Sequence, residues 1–575
     1  MIEGAGTIGR IDRGDVCLNI IEPIKINAGF SRAKARLRRF DNSALVLRME
    51  EKRLYNKVTD DVVKKLVAIC GEKYVTTSEP LRHSYMARGI MGLEAVLPEA
   101  IVRPANADEV SKILVMANEH LIPVTPAAGG LSGGFALPAI EPGGIYMDMT
   151  RMNGLEVDVE NRVMVVEPGV KSGDAWRIFK TKYPEWAPPI PDGAPPAATV
   201  LGDAIERGFS LVTGVYGPQA DMIMGLEVVL PTGDVFRTGS WALPGAKPFY
   251  RWGPGPNPDG LFLGSQGSMG IITKAAIKMV PHPHFKTVVA YGGENFEDIV
   301  KPTWEISKHE LGIADRCVMV QGGNWQLVMT RWPKTNVPLD YEFYKKIGIS
   351  EYWMNYEIWA WSQEELDFTL KKIDEIYKAY EVKANTKCPK MDLHPKQIAS
   401  RLKKPNKIAI PYALWEAGFL FITWYCPWLE SAKMMEQYCA KMEEYGFPPT
   451  MWVASIDHGR QAIVMPIVCF DSTKPGIYDK IREFNLETTK SFLKQGWLNY
   501  RPDPFVHAPE TFSLAKEYYK MLVKFRKVLD PNLILHPGRL AIPWEEVSKL
   551  PNPCGESKAS ESKVSKPTKP PAKKK

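Results

Sequence analysis

The stretch Gly264-Ser265-Gln266-Gly267-Ser268-Met269-Gly270-Ile271-Ile272-Thr273 constrains this chain more than any other. Three glycines alternate with small and hydroxylic residues and run straight into a β-branched segment. Glycine at that spacing permits tight backbone geometry and lets main chain approach a ligand with no Cβ in between. A bulged turn ahead of a buried strand has the same composition, so the stretch has two readings when taken alone. It has companions, however. The apolar segment Ile122 to Val124 leads into a second small-residue loop, Pro126-Ala127-Ala128-Gly129-Gly130-Leu131-Ser132-Gly133-Gly134. Between the two lie Val200-Leu201-Gly202-Asp203-Ala204-Ile205-Glu206-Arg207-Gly208 and Gly225-Leu226-Glu227-Val228-Val229-Leu230-Pro231-Thr232-Gly233-Asp234. Successive amides of small residues converge on an anion as a nest, and a Gly-rich hairpin turn is the plainer alternative. The loop is not a Rossmann fingerprint, because no G-x-G-x-x-G opens a helix here with an acid about 20 residues further on.

A chain of 575 residues is too long for one ordinary core, so two or more domains are expected. No run of about 18 apolar residues is present, which argues against a membrane span. Met1 to Arg13 is polar and Gly-rich, unlike a signal peptide. The formal charge of +7 is mostly a tail effect, since Glu556 to Lys575 carries seven lysines against two glutamates. The remaining body is nearly neutral, so no nucleic-acid partner is expected. The Ser/Lys/Pro/Ala tail has no aromatic residue and reads as solvated and disordered. The eight cysteines form no CxxC, which leaves no zinc ribbon, iron–sulfur run or c-type haem site. Most, like Cys469, sit among apolar neighbours and read as buried thiols in a reducing cytoplasm.

Periodicity predicts helices over Asp60 to Ile69 and Asp108 to Glu119, with strands at Ala100 to Arg103 and Ile122 to Val124. Strands follow at Ile145 to Asp148, Leu155 to Val157 and Val163 to Glu167. Ser172 is expected to cap a helix over Asp174 to Thr181, and Asp203 to open a short one. The proline-rich segment Pro184 to Ala198 reads as irregular. Further strands are expected over Met222 to Leu230, Asp234 to Gly239 and Gly270 to Val280. Beyond His284 the chain is rich in tryptophan. There, helices over Asn295 to Lys308, Ser362 to Tyr380 and Trp428 to Tyr445 alternate with strands at Arg316 to Val320, Gln326 to Thr330, Gly418 to Trp424 and Ile463 to Phe470. Terminal helices are expected over Asn485 to Gln495 and Glu510 to Leu529. The second half thus reads as an antiparallel sheet covered by helices.

The four ordered motifs from about Pro80 to Pro283, with a return near the C-terminus, resemble the FAD-binding domain of the vanillyl-alcohol oxidase / p-cresol methylhydroxylase flavoprotein family. The resemblance implies an α+β fold, with a two-lobed FAD-binding domain and an α+β cap. It divides the chain into an extension (1–58), the FAD-binding domain (59–284), a cap (285–499), a C-terminal return (500–547) and a Lys-rich tail (548–575). Pro126, Ala127, Ala128, Gly129, Gly130, Leu131, Ser132 and Gly133 would cradle the FAD diphosphate. Family members often place Arg or Asn in that loop, so more of the binding falls to main chain here. Thr199, Gly202, Glu206 and Gly208 would lie along the cofactor, as would Gly267, Ile271 and Ile272. Arg539, in His536-Pro537-Gly538-Arg539, would face the flavin N1 and C2=O region.

On the substrate side the resemblance points to Tyr500-Arg501 after Gly496-Trp497, as in the phenol-oxidising branch. A guanidinium and a phenol hydroxyl together stabilise an oxyanion, and a phenolate can expel hydride from its para carbon. An ordinary strand end is the plain alternative. Asp192 matches the family's Asp near flavin N5, although an aspartate in a proline loop is also a common turn former. Ala417-Gly418-Phe419-Leu420-Phe421 lacks the histidine that bonds flavin in some members, so FAD is expected to be non-covalent. The metal motif of the 2-hydroxyacid branch is absent, with Asp457-His458-Gly459 its nearest fragment, so no metal is expected. The expected function is oxidation of a para-substituted phenol or aromatic alcohol by hydride transfer to FAD. Alternatives are a 2-hydroxyacid or other alcohol dehydrogenase, or an FAD-binding subunit of a larger redox complex. The expected partners are a small-molecule substrate, an electron-acceptor protein and further copies of the chain.

Overall fold

The computed structural model describes residues 55–86, 96–131, 136–139, 142–191, 194–210, 212–309, 313–320, 350, 352–391, 417–447, 449, 451–471, 473–504 and 506–541. Its first sheet joins β1 (Val75–Thr76), β2 (Ala100–Val102), β3 (Val124–Ala127) and β4 (Ile145–Asp148) in the order β1-β2-β4-β3, with β2 and β3 both parallel to β4. Parallel strands need a crossover, and the helix Ala107–Glu119 supplies it. That helix starts where it does because Asn106 accepts from the Glu109 amide at 2.9 Å while Glu109 accepts from the Ala105 amide at 2.8 Å. Its Val110, Ile113 and Leu114 are fully buried against the sheet.

A second lobe is antiparallel. β5 (Leu155–Asp158), β6 (Val163–Val166), β8 (Ile223–Val229), β9 (Val235–Arg237) and β10 (Ile271–Lys278) pair in the order β5-β6-β10-β8-β9. A short β7 (Trp186–Ala187) pairs with β11 (Val280–Pro281), so the proline-rich segment is not wholly irregular.

The cap sheet joins β12 (Phe285–Gly293), β13 (Ile313–Val320), β14 (Tyr352–Ala360), β15 (Lys390–Met391), β16 (Ala417–Phe421), β17 (Trp424–Pro427), β18 (Met451–Ile456), β19 (Gln461–Asp471) and β20 (Leu498–Asn499). Its order is β15-β12-β14-β13-β18-β19-β17-β20, with β16 added on β19. Strand periodicity sorts the side chains by face. Met354, Tyr356, Ile358, Val453 and Val464 pack under the helices Glu297–Lys308, Gln363–Ala384, Ser431–Glu444 and Ile477–Lys494. Trp353, Asn355, Trp452, Ala454 and Ile463 lie on the other face, where Trp452 meets Phe209 of the second lobe at a ring distance of 4.6 Å. The cap therefore presents one sheet face to the glycine-rich half of the molecule.

The chain end returns to β3. Val124 donates to Ile534 O and His536 donates to Val124 O, both at 2.7 Å. Asp530 shapes the turn by accepting from the Ile534 and Leu535 amides at 3.1 and 2.8 Å while pairing with Arg526 at 3.0 Å.

The elements differ from expectation in places. Ser172 lies inside the helix Ser172–Lys182 rather than ahead of it, and Asp203 lies within Val200–Ile205. The C-terminal helix is two, His507–Leu514 and Lys516–Leu529, because Ala515 leaves helical geometry at ψ 51°. The expected strand Gly418 to Trp424 is β16 and the start of β17, while β12, β14 and β18 were not anticipated. The expected strand at Gln326 to Thr330, the side chain of Cys469, and residues 1–54 and 548–575 lie outside the described residues.

Phe484 is fully buried, with its ring against Tyr438, Tyr445 and Phe447. Phe484→Ala should destabilise the protein by about 3–5 kcal/mol, measured as the shift in its urea unfolding midpoint.

Candidate active site

The glycine motifs converge in space as well as in order. Pro126, on β3, leaves no room for a side chain at position 267: a Cβ there would stand 2.6 Å from Pro126 Cγ, and Gly267 has φ +70°. The Gly129 amide donates to Thr199 Oγ1 at 3.3 Å. A Cβ on Gly202 would meet Thr199 Oγ1 at 2.7 Å and Ala128 Cβ at 3.0 Å. Gly208 is confined by Asp203 and Gln219, each 2.4 Å from a built Cβ. The Glu206 carboxylate accepts from the Gln266 amide at 3.0 Å, and the Gly264 amide donates to Ile205 O at 2.7 Å. Pro126, Ala128, Gly129, Thr199, Gly202, Glu206, Gly208 and Gly267 thus form one assembly. Ala127 is buried at the end of β3, and Ile271 and Ile272 are buried in β10, paired with Val229 and Val228. Gly130 continues the loop at φ +65° and Leu131 is exposed. Ser132, Gly133 and Asp192 lie outside the described residues.

Beside this assembly is a cavity of about 430 Å³ whose lining includes Gly129, Leu131, Thr199, Arg103 and Lys171. Its lining combines a threonine with two cations, a set that suits an anionic diphosphate. The close approach at Gly129 and Gly202, where a side chain would fill the cradle, fits an extended dinucleotide. Neither cation was singled out from sequence, because Arg103 at the end of β2 and Lys171 before a helix carry no local motif.

Tyr500 and Arg501 follow β20 and meet the first half of the chain directly. Arg501 donates through Nε to Glu206 O and through Nη2 to Asp203 Oδ1, both at 3.2 Å. Arg207 takes positive φ (60°) and donates to Tyr500 O at 2.7 Å. Asp203 is thus paired with the distant Arg501. The Arg501 guanidinium lies 4.4 Å from the centre of the Tyr500 ring, which Tyr425 meets edge-on at 5.5 Å. Tyr500 is buried, and its hydroxyl has no hydrogen-bond partner among the described residues. Burial holds that phenol protonated, well above its ordinary pKa, with Arg501 pulling the other way.

Burial likewise pushes Asp203 and Glu206 above the usual carboxylate range, opposed in each case by Arg501. Burial works against the charge on Arg501 itself, but Tyr500, Asp203 and Glu206 outweigh it and keep the guanidinium charged. Arg539 is buried, donating to His536 Nε2 at 3.0 Å and Leu137 O at 2.8 Å, and burial lowers its pKa to about 10. Three guanidiniums (Arg207, Arg501, Arg539) therefore lie among three carboxylates, Asp203, Glu206 and Asp503, the last also in contact with His507.

His536, in the closing motif His536-Pro537-Gly538-Arg539, joins three segments. It contacts Gln266 O through Nδ1 at 2.7 Å and receives Arg539 through Nε2. Burial, then Arg539, lowers its pKa to about 3. The unfolded chain takes up this proton below about pH 6.5 and the native protein does not. Native stability is consequently lost as pH falls from about 6.5 toward 3, by about 1.4 kcal/mol per pH unit. Urea unfolding at pH 7, 6 and 5 should show that dependence in wild type and a shallower one, by about that amount, in His536→Gln.

With this geometry in place, comparison with known proteins is informative. Residues 98–239 match the FAD binding domain family. The chain is 25% identical over 471 residues to the 4-cresol dehydrogenase [hydroxylating] flavoprotein subunit of Pseudomonas putida, covering 77% of this chain and 88% of that one. It is 32% identical over 247 residues to glycolate oxidase subunit GlcD of Bacillus subtilis, but there spans only 49% of the relative and 42% of itself. The crystal structure of p-cresol methylhydroxylase with substrate bound superposes with a TM-score of 0.74 at 22% identity, covering 85% of this chain and 98% of that one. The chain therefore carries an FAD binding domain over residues 98–239 and has the fold of the p-cresol methylhydroxylase structure, in line with the resemblance read from its motifs.

Proposed function

We propose that the protein oxidises a para-substituted phenol or aromatic alcohol, with Tyr500 and Arg501 holding the substrate's phenolic oxygen. The observation that carries this reading is the buried, protonated Tyr500 hydroxyl, which has no partner among the described residues and lies beside the partly buried Arg501 guanidinium. Asp203 and Glu206 O fix two edges of Arg501 and leave its remaining N–H groups to a ligand. A phenolic oxygen placed there receives a neutral donor and a cation, so its proton leaves more readily. FAD, when bound, supplies the acceptor for the hydride released from the para position. Arg539, behind Gln266 and His536, adds positive charge on the cofactor side. Asp192 is retained as a candidate proton acceptor on the strength of the family resemblance.

Cofactor contacts are assigned to Pro126 through Gly133, Thr199, Gly202, Glu206, Gly208, Gly267, Ile271, Ile272 and Arg539. FAD is held without a covalent bond, since β16 offers Gly418 where some members of the family have histidine. Acid precipitation of the purified protein should leave the yellow colour in the supernatant, and flavin in the pellet would contradict this. Reoxidation by a protein partner is supported by the relative's designation as a flavoprotein subunit. Cys70, Cys388 and Cys426 are buried free thiols, in keeping with a cytoplasmic location, and no helix among the described residues is long and apolar enough to cross a membrane.

A 2-hydroxyacid substrate is the second reading, favoured by the glycolate oxidase relative and by Arg501 as a carboxylate partner. Anaerobic stopped-flow separates the two. With a para-alkylphenol, Arg501→Ala should slow flavin reduction about 30- to 1000-fold, the cost of about 2–4 kcal/mol for losing a charged partner in a closed site, with FAD content unchanged. Reduction of wild type by lactate or glycolate, and not by the phenol, would overturn the phenolate mechanism.

A further inference from the structure

Asn355 is buried at the centre of the cap sheet, 2% exposed, and its side chain makes no hydrogen bond among the described residues. The amide therefore has hydrogen-bonding capacity left for a ligand. Along its row of the sheet, Asn355 is flanked by Ala290 on β12 and, one strand beyond β13, by Ala454 on β18. In the adjacent row Trp353 stands opposite Gly292, with Trp452 one strand beyond β13. Small residues thus stand in the row of the amide, and indoles in the next. The Trp353 indole N–H, two residues from Asn355 and on the same face, is also buried without a partner. Ala290, Trp353, Trp452, Ala454 and Tyr500 belong to one apolar cluster, so this face adjoins the phenol-holding pair.

We propose that Asn355 and Trp353 bind a second oxygen substituent of the substrate, a neutral hydroxyl, and so set the enzyme's specificity within the phenols. The amide offers both a donor and an acceptor, and the indole a donor only. A hydroxyl has one donor and two acceptor positions, and is the smallest group that satisfies all of them. An ether oxygen satisfies only the donors. A carboxylate is disfavoured by Glu357, next along the same face, whose carboxylate accepts from Trp359 Nε1 at 2.8 Å. This inference rests on the phenol reading above, and its test is chosen so that the two fail separately.

The test uses holoenzyme with 4-ethylphenol, 4-ethyl-2-methoxyphenol and 4-ethylcatechol, measuring Kd by calorimetry and flavin reduction anaerobically. Wild type should bind the catechol about tenfold or more tightly than 4-ethylphenol, with the methoxy compound between, because sites built for a hydroxyl reject analogues lacking it. In Asn355→Leu that ratio should collapse to about one, and Trp353→Phe should reduce it in part. Asn355→Leu should also melt at a higher temperature than wild type, since it replaces an unpaired amide by an apolar side chain of similar size. A wild-type ratio near one, a ratio that survives Asn355→Leu, or a clear drop in that variant's melting temperature would each overturn the assignment. Binding with the expected preference but no flavin reduction by any of the three would sink the phenol-oxidising reading and leave the assignment standing. Failure of all three to bind would overturn both.

Discussion

Arg501 is the joint on which the two halves of the molecule depend. It comes from the segment after the last cap strand, yet two of its donors are spent on Asp203 and Glu206, almost 300 residues earlier in the chain. A guanidinium taken from water is costly unless its geometry is met, and here a carboxylate, a carbonyl and an aromatic face meet it together. Arg207 reinforces the contact from the opposite direction by reaching back to the Tyr500 carbonyl. Tyr500 and Arg501 are therefore held by the glycine-rich half as well as by the cap that precedes them in sequence. Moving either half alone leaves a charge stranded in a buried site, which couples the docking of the cap to the integrity of the glycine-rich loops.

Shared charge gives the site its character. Arg526 closes on Asp530. Around Tyr500 the guanidiniums of Arg207, Arg501 and Arg539 are instead distributed over Asp203, Glu206 and Asp503. Burial holds the Tyr500 proton while Arg501 pulls toward its release, so the pair is set to respond to charge that develops beside it.

Much of this was legible in the residues themselves. Glycines at 129, 202, 208 and 267 announce close approach, and each is hemmed in by a neighbouring side chain. Dense β-branched runs gave β6, β8 and β10 to within a residue or two. Other elements were hidden for physical reasons. β14 reads Tyr-Trp-Met-Asn-Tyr-Glu-Ile-Trp-Ala, where tryptophans flank Asn355 and Glu357 on one face and the other face is apolar, so the alternation is blurred and does not mark it plainly as a strand. The helix Lys516–Leu529 shares its periodicity with the helix before it, and only the backbone turn at Ala515 separates them. Arg103, Lys171 and Asn355 act through tertiary neighbours, and nothing in their local sequence points to them. Asp192 keeps its place on family resemblance alone.

The return of Ile534 to His536 onto β3 has a consequence for biosynthesis. The strand that launches the diphosphate loop gains its outer hydrogen bonds from residues more than 400 positions downstream. While the ribosome is still making the cap, that strand edge has no partner from this segment, and such contacts form late because they close a very long loop. The nascent chain can build the helix Ala107–Glu119 and its neighbouring strands early, but the outer brace on β3 forms only after the polypeptide has been synthesised past His536. A product truncated before that point leaves the glycine-rich loop after β3 without this brace.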